Sequence, residues 1–302
     1  MNKNIILKKN HVSITGCNGY LGFNLAKYLL SYNVSVTAIC HSNYITSDLA
    51  SLSKFRNFNY ILINNKKGLI KNLSNTDCLI HTAVVYGKKK ESEYYINSSN
   101  IDFPFYLFRL ASVCNMPIFF NCTSFFEQNR SGYMNKYTES KLGFKELLKR
   151  YNSKGIVKII DLYFHHIFGP GESVSKFTGW LFLELIKKNN IIKLSPGNQL
   201  RDFIYIKDVL SAIKYILFYG SIDDLPNKIE IGTGIKVSLK EFVCLLHKAF
   251  NSDSKLLFGE KDFHEEELKN IYTDPEFLYS IGWKPKFTIK EAGLDMHKLN
   301  SK

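Results

Sequence analysis

The 302-residue sequence predicts an α/β fold: a doubly wound parallel sheet covered by helices, followed by a smaller α/β domain that would hold a substrate. Two observations predict it. Short β-branched or apolar runs alternate with longer amphipathic stretches through the first 165 residues, and a glycine-rich turn follows the first of those runs. Strands separated by stretches of that length return in the same direction through right-handed crossovers, which puts helices on both faces of the sheet.

Taken in order, the candidate strands are Val12–Thr15, Val34–Cys40, Tyr60–Ile63, Cys78–Ala83, Ile118–Cys122 and Ile156–Leu162. Helical periodicity appears near Leu21–Leu30, Tyr94–Val113 and Lys136–Tyr151. After Phe168-Gly169-Pro170-Gly171 the rhythm breaks. A helix-like Phe177–Lys188 precedes a turn at Ser195-Pro196-Gly197, and a strand-like Phe203–Ile206 leads into a helix beginning near Asp208, which the aspartate is expected to cap. The expected division is a dinucleotide-binding domain from 1–165 with parts of 203–233, and a substrate domain from 166–202 and 234–302. No internal repeat or long linker is visible.

With 45% hydrophobic and 22% charged residues the chain can bury a full core. Its net charge of +13 comes from scattered Lys and Arg, with Lys88-Lys89-Lys90 as the one tight run. No basic helix or aromatic-basic platform emerges, so no nucleic-acid partner is expected. A basic balance does suit a small polyanion such as a diphosphate. The cysteines at 17, 40, 78, 114, 122 and 244 form no CxxC pair and no cluster with histidines. They read as reduced core thiols, with no metal site. The opening MNKNIILKKN lacks the apolar run of a secretory signal, and no stretch approaches the roughly 20 apolar residues of a membrane span, so a cytoplasmic location is expected.

Thr15-Gly16-Cys17-Asn18-Gly19-Tyr20-Leu21-Gly22 carries a GxxGxxG between the first strand and the first helix. Gly16 permits the tight turn, Gly19 lets the backbone approach a pyrophosphate, and Gly22 allows close packing, with phosphate at the helix N-terminus. These features are the fingerprint of a Rossmann dinucleotide site, in which Asn18, Tyr20 and Leu21 join the three glycines as candidate cofactor contacts. An acid about twenty residues on normally grips the adenosine ribose. Here no Asp or Glu precedes Asp48, and the second strand ends in Ile39-Cys40-His41-Ser42-Asn43. His41 and Ser42, in place of a carboxylate that would repel a 2′-phosphate, favour NADP(H) over NAD(H). The alternative is that His41 is only a surface loop residue.

Tyr137-Thr138-Glu139-Ser140-Lys141 opens a helical pattern. Four-residue spacing puts Tyr137 and Lys141 on one face, where an ammonium can favour the phenolate and let the phenol exchange a proton with a carbinol or ketone oxygen. The preceding strand ends in Asn121-Cys122-Thr123-Ser124. Ser124, with Thr123 as the alternative, would hydrogen-bond the substrate oxygen and hold it against Tyr137.

These motifs, with DCLIHTA at 77–83, NID at 100–102, FGPG at 168–171, RDFIYIKDV at 201–209 and IGWKPKFTIKEAG at 281–293, resemble the extended short-chain dehydrogenase/reductase family, the NAD-dependent epimerase/dehydratase group. The resemblance implies a Rossmann domain plus a small domain binding a nucleoside-diphosphate sugar, commonly as a homodimer. It implies Tyr137 as acid/base, Lys141 also on the nicotinamide ribose, Ala83 and Asn100 along the cofactor groove, and Arg201 on the substrate diphosphate, with His166 a further candidate sugar contact. NIDFPFYLF at 100–108, FFNCTSFF at 119–126, FGPGESVSKF at 168–177 and LSPGNQLRDFIYIKDV at 194–209 look most like the CDP-abequose and CDP-paratose synthase subfamily. That implies NADPH-dependent reduction of a 4-keto dideoxysugar nucleotide for surface polysaccharide. The chain departs from the family in four places: in one of them His165-His166 replaces a common Asn, so that His166 either contacts the sugar or packs beside Phe164 and Phe168. Ser124 is followed by Phe125 and Phe126 where dehydratases carry Asp-Glu. Phe168 replaces a frequent Tyr, and no arginine for the second phosphate stands in 259–267.

Three functions follow. The leading one is a reductase that places hydride on C4 of the sugar while Tyr137 donates the proton. An NAD-dependent nucleotide-sugar 4-epimerase is the rival within the class. A catalytically idle dinucleotide-binding scaffold or regulator is the alternative outside it.

Overall fold

A computed structural model describes residues 6–41, 45–87, 91–125, 135–152, 155–187, 191–219, 221–261 and 273–300. The first part of the chain alternates strands and helices: β1 His11–Thr15, α1 Tyr20–Ser31, β2 Ser35–Cys40, α2 Ser47–Ser51, β3 Phe58–Leu62, α3 Lys66–Ser74, β4 Cys78–His81, α4 Glu93–Asn97, α5 Phe103–Val113, β5 Ile118–Ser124, α6 Asn135–Tyr151 and β6 Lys158–Phe164. It continues through β7 His166–Phe168, α7 Phe177–Lys187, β8 Ile191–Leu194, β9 Leu200–Arg201, β10 Phe203–Tyr205, α8 Ile206–Tyr219, β11 Lys228–Ile231, β12 Val237–Ser238, α9 Leu239–Ala249, β13 Lys255–Phe258, α10 Glu276–Ser280 and α11 Ile289–Asn300.

One seven-stranded sheet runs in the order β11-β6-β5-β4-β1-β2-β3. The pairs β1 with β2, β2 with β3, β1 with β4 and β4 with β5 are parallel. This is the Rossmann order, and its direction of growth reverses between β1 and β4, where ligands bind beyond the carboxyl ends of the strands. Loops 16–19 and 82–87 leave from those two ends. The α5 and α6 side of the sheet is closed by Phe103, Leu107, Phe108, Phe119, Phe144 and Leu148, all buried in one cluster. Truncating a buried Phe to Ala typically costs about 3–5 kcal/mol.

By its internal contacts the chain forms two compact units: Met1–Tyr163 with Lys214–Ile229, and Phe164–Ile213 with Glu230–Lys302. The segment that returns to the first unit is Lys214–Ile229, which begins inside α8 and lies within the 203–233 stretch. Among the described residues the second unit holds three two-stranded pairings, β10 with β7, β12 with β9 and β13 with β8. Among the described residues no helix is long and apolar enough to cross a membrane.

Several elements differ from those expected. The periodic stretch 94–113 is not one helix but α4, a π-helical turn at Ser98–Asp102, and α5. Pro104, in the first turn of α5, has no N–H to give the residue one turn back, and the backbone widens ahead of it. Helix α3 carries only Leu69, Asn72 and Leu73 inward, too few apolar positions to show a clear helical period. Of the six cysteines, Cys17, Cys40, Cys78 and Cys122 are core thiols, but Cys244 is exposed and Cys114 half-buried. Asn33, Asn115 and Asn251 take left-handed φ just after α1, α5 and α9, a helix-stop role that asparagine fills when glycine is absent.

Candidate active site

The glycine loop is shaped by what stands beside it. Gly16 has φ +75°, and a Cβ there would lie 2.6 Å from the Ala83 nitrogen and 2.7 Å from Thr82 Oγ1. A Cβ on Gly22 would meet the Gly16 carbonyl oxygen, and would lie 2.6 Å from Thr82 Oγ1. Gly22 therefore seats α1 on the loop itself and on Thr82. Thr82 Oγ1 donates to the Thr15 carbonyl at 2.7 Å, and the Ala83 N–H donates to Thr15 Oγ1 at 3.3 Å. The Gly19 N–H closes the turn on the Gly16 carbonyl at 2.8 Å. Gly19 is the N-cap of α1 and brings no side-chain cap, so the helix's N-terminal dipole is not neutralised from within.

Gly19 and Asn18 are exposed, while Tyr20 and Leu21 are half-buried. Asn18 Oδ1 accepts from the Thr46 N–H at 3.2 Å and from Thr46 Oγ1 at 3.0 Å. Thr46 Oγ1 in turn caps α2 by accepting from the Leu49 N–H, so the loop is tied to the segment beyond β2. His41 is exposed at the end of β2, and its ring meets Phe103 edge-on at 5.2 Å. Ser42 lies outside the described residues, as do Lys88–Lys90 and Phe126.

Tyr137 and Lys141 occupy successive turns of α6 and are both buried. Lys141 Nζ donates to the Cys122 carbonyl at 2.9 Å, and the Ser124 and Tyr137 hydroxyls are 3.5 Å apart. Ser124 is the hydroxyl the structure brings to Tyr137. Thr123 is one residue back on β5, where alternation turns its side chain to the other face, and its hydroxyl is buried without a hydrogen bond. Burial pushes the Cys122 thiol up to about 12.

Asn100 is fully buried on the π-helical turn and clamps two segments of the chain. Its Oδ1 accepts from the Val85 N–H at 2.8 Å, and its Nδ2 donates to the Val85 carbonyl and to Ser140 Oγ, both at 2.9 Å. Ser140 Oγ donates to the Tyr137 carbonyl at 2.8 Å. The neighbour of Val85, Tyr86, sets its ring 5.1 Å from that of Tyr137, tilted against it. His81, at the end of β4, is fully buried among Phe103, Phe119 and Phe144 and shares a 2.8 Å hydrogen bond with Thr15 Oγ1. Burial, then the Lys141 ammonium, holds His81 well below the usual histidine range. No spacing rule picks out Tyr86 or His81, and neither stood among the expected site residues.

In the second unit, Arg201 is buried on β9, and its Nη1 donates to the Leu200 carbonyl at 2.8 Å. His166 lies on β7 with its ring 5.5 Å from that of Phe203, and burial, then Arg201, His165 and Lys176, hold it well below the usual range. Asp208 does not cap α8, which starts two residues earlier. Its carboxylate instead accepts the N–H groups of Lys286 and Phe287 at 2.9 and 3.0 Å and fixes the segment before α11.

The order of motifs and the sheet they sit on are those of an extended short-chain dehydrogenase/reductase. A model of the NAD dependent epimerase/dehydratase family matches residues 12–232, and the chain belongs to that family. CDP-abequose synthase of Salmonella typhimurium is 30% identical over 293 residues, 94% of this chain and 96% of that protein. CDP-abequose synthase of Yersinia pseudotuberculosis is 23% identical, over 93% and 96% of the two chains. Among solved structures, UDP-N-acetylglucosamine 4-epimerase from Methanobrevibacter ruminantium matches with a TM-score of 0.80 at 18% identity, over 97% of this chain and 99% of that one. UDP-glucuronic acid 4-epimerase from Bacillus cereus matches at 0.77 and 18% identity, over 95% and 96%. At such identities these structures speak for the fold.

Proposed function

We propose that this chain is an NADPH-dependent reductase of a 4-keto nucleoside-diphosphate deoxysugar, in the supply of sugars for surface polysaccharide. The observation that carries the reading is the convergence of Ser124, Tyr137 and Lys141 at the carboxyl end of β5. Likeness to CDP-abequose synthase over nearly the whole chain supports a 4-keto substrate.

The loop fits a dinucleotide. Gly16, Gly19 and Gly22 leave backbone where side chains would stand, the uncapped start of α1 suits a pyrophosphate, and Lys141 would meet the nicotinamide ribose. When bound, the reduced dinucleotide supplies the hydride. Tyr137 Oη donates the proton to the carbonyl oxygen as it becomes a hydroxyl, and Ser124 Oγ fixes that oxygen by a hydrogen bond. Lys141, buried one turn below, favours the phenolate left behind. Its hydrogen bond to Cys122 keeps the ammonium on the strand that carries Ser124. Arg201 and His166 are assigned to the diphosphate and the sugar. His41 stands where a carboxylate would disfavour a 2′-phosphate.

Parallel titration of the purified protein with NADPH and NADH, with a test for retained cofactor, checks the reading first. Exchangeable NADPH binding, followed by NADPH oxidation on a CDP-linked 4-keto dideoxyhexose, is expected. Tightly retained NAD without NADPH preference replaces reduction by 4-epimerisation. Binding without turnover of any sugar nucleotide leaves a dinucleotide-binding scaffold.

A further inference from the structure

We propose that Tyr86 is a substrate-contacting specificity residue, an aromatic wall beside Tyr137 that packs against the apolar face of the sugar ring; this rests on the reductase reading above. Tyr86 is 39% exposed, in the first unit, on the loop after β4 whose first residues, Thr82 and Ala83, stand against the glycine loop. An exposed tyrosine on a loop is ordinary unless something fixes it, and here the loop is fixed at two points. At its start Thr82 and Ala83 are locked to Thr15. The loop leaves through Gly87 at φ +72°. Between them Asn100 takes both backbone polar groups of Val85.

The same Asn100 amide reaches Tyr137 through Ser140. One buried side chain therefore sets the backbone on both sides of the Tyr86–Tyr137 pair, whose rings lie 5.1 Å apart and tilted by 36°. Such a ring costs little entropy to order, because its backbone is already held, and it offers a flat apolar face with a polar tip. It shields one side of the Tyr137 phenol from water. A pyranose docked with its C4 oxygen on Tyr137 would set its C–H bonds against that face. Each hydroxyl replaced by hydrogen widens the apolar patch on the sugar, so the wall favours a deoxysugar over a fully hydroxylated one.

The test pairs binding with turnover. Cytidine, uridine and thymidine diphosphates and their 6-deoxyhexose esters are titrated calorimetrically into the NADP-loaded wild type, Tyr86→Phe and Tyr86→Ala. Tyr86→Ala is expected to weaken the preferred deoxyhexose ester about tenfold, the size of one aromatic contact. The free nucleoside diphosphate and NADPH should bind as before, and Tyr86→Phe should retain wild-type affinity. In turnover the same loss should appear in KM with kcat largely kept. If the ester binds Tyr86→Ala as tightly as wild type, or if Tyr86→Ala loses NADPH affinity and kcat together, the contact assignment is wrong. Tyr137→Phe separates the two claims, since turnover that survives it removes the reductase reading itself. Failure of every sugar ester to bind wild type overturns both.

Discussion

The hydroxyl oxygens of Ser124 and Tyr137 stand 3.5 Å apart although one ends a strand and the other begins a helix. A carbonyl oxygen placed between them would receive a hydrogen bond from each. Tyr137→Phe removes the proton donor and is expected to lower kcat about 10²–10⁴-fold. Ser124→Ala removes one donor to the developing alkoxide and should lower it about 10²-fold. Thr123→Ala, on the other face of β5, should cost less than either. NADPH oxidation with a 4-keto sugar nucleotide, alongside cofactor titration, measures all three. A Thr123→Ala defect exceeding that of Ser124→Ala would reverse the assignment.

Gly22→Ala places the best helix former in the first turns of α1, where propensity alone would stabilise by about 1 kcal/mol. The added Cβ would lie 2.6 Å from Thr82 Oγ1 and 2.7 Å from the Gly16 carbonyl carbon. Thr82 is bonded to β1, and the Gly16 carbonyl closes the turn, so neither can withdraw. The expected net change is a loss of about 1–3 kcal/mol from overpacking, seen as a lower Tm, with weaker dinucleotide binding. Gly19→Ala is the control: its nearest neighbour would be the Gly16 oxygen at 3.2 Å. It should lose less Tm than Gly22→Ala, through the milder contact and the poorer N-cap, while still weakening the dinucleotide. Equal Tm losses would refute the distinction.

What the sequence displayed was local and periodic. Runs such as HVSIT and SVTAIC, and the turn between the first strand and helix, carry their structure in neighbouring residues, so the sheet and the Gly16–Gly22 loop were legible. Tyr137 and Lys141 were legible because one helix turn relates them. The choice between Ser124 and Thr123 was not, because it depends on which face β5 presents at its last residue. Asn100 could be placed by resemblance but its clamp could not, since Val85 and Ser140 are 15 and 40 residues away. Tyr86 carries no spacing signal at all and is defined only by that clamp. Asp208 was misread as a cap because its partners, Lys286 and Phe287, lie 78 and 79 residues on.

Cofactor choice should respond to position 41. His41 is exposed at the end of β2 and braced by Phe103, and the described residues just after it carry their first carboxylate at Asp48, inside α2. His41→Glu would put a negative charge where a 2′-phosphate is expected. NADPH affinity should fall by at least about tenfold, the scale of one unfavourable charge contact of about 1.4 kcal/mol. NADH affinity should hold or rise. Fluorescence titrations at two salt concentrations test this, since the effect on an exposed site must shrink with screening. An unchanged NADPH to NADH ratio would place the adenosine ribose away from His41.

Stability should fall with acid before any carboxylate titrates. Burial keeps His81 and His166 well below the usual histidine range in the folded chain, whereas unfolding returns both to about 6.5. Below that pH the unfolded chain takes up protons that the folded chain refuses, so unfolding free energy rises with pH there and levels off above it. The slope approaches about 1.4 kcal/mol per pH unit for each histidine once the unfolded state is protonated. Asp208 acts in the opposite sense, because burial raises its carboxyl above the ordinary aspartate value, so its contribution is lost as pH rises rather than as it falls. Urea unfolding between about pH 7.5 and pH 5.5 should therefore show a steady loss. His81→Phe places an aromatic ring among Phe103, Phe119 and Phe144 and gives up the bond to Thr15. It should be less stable at neutral pH, yet its stability should decline less steeply toward pH 5.5, by about the slope of one proton. A wild-type profile that is flat over this interval, or a variant that declines as steeply, would show that His81 is protonated in the folded protein.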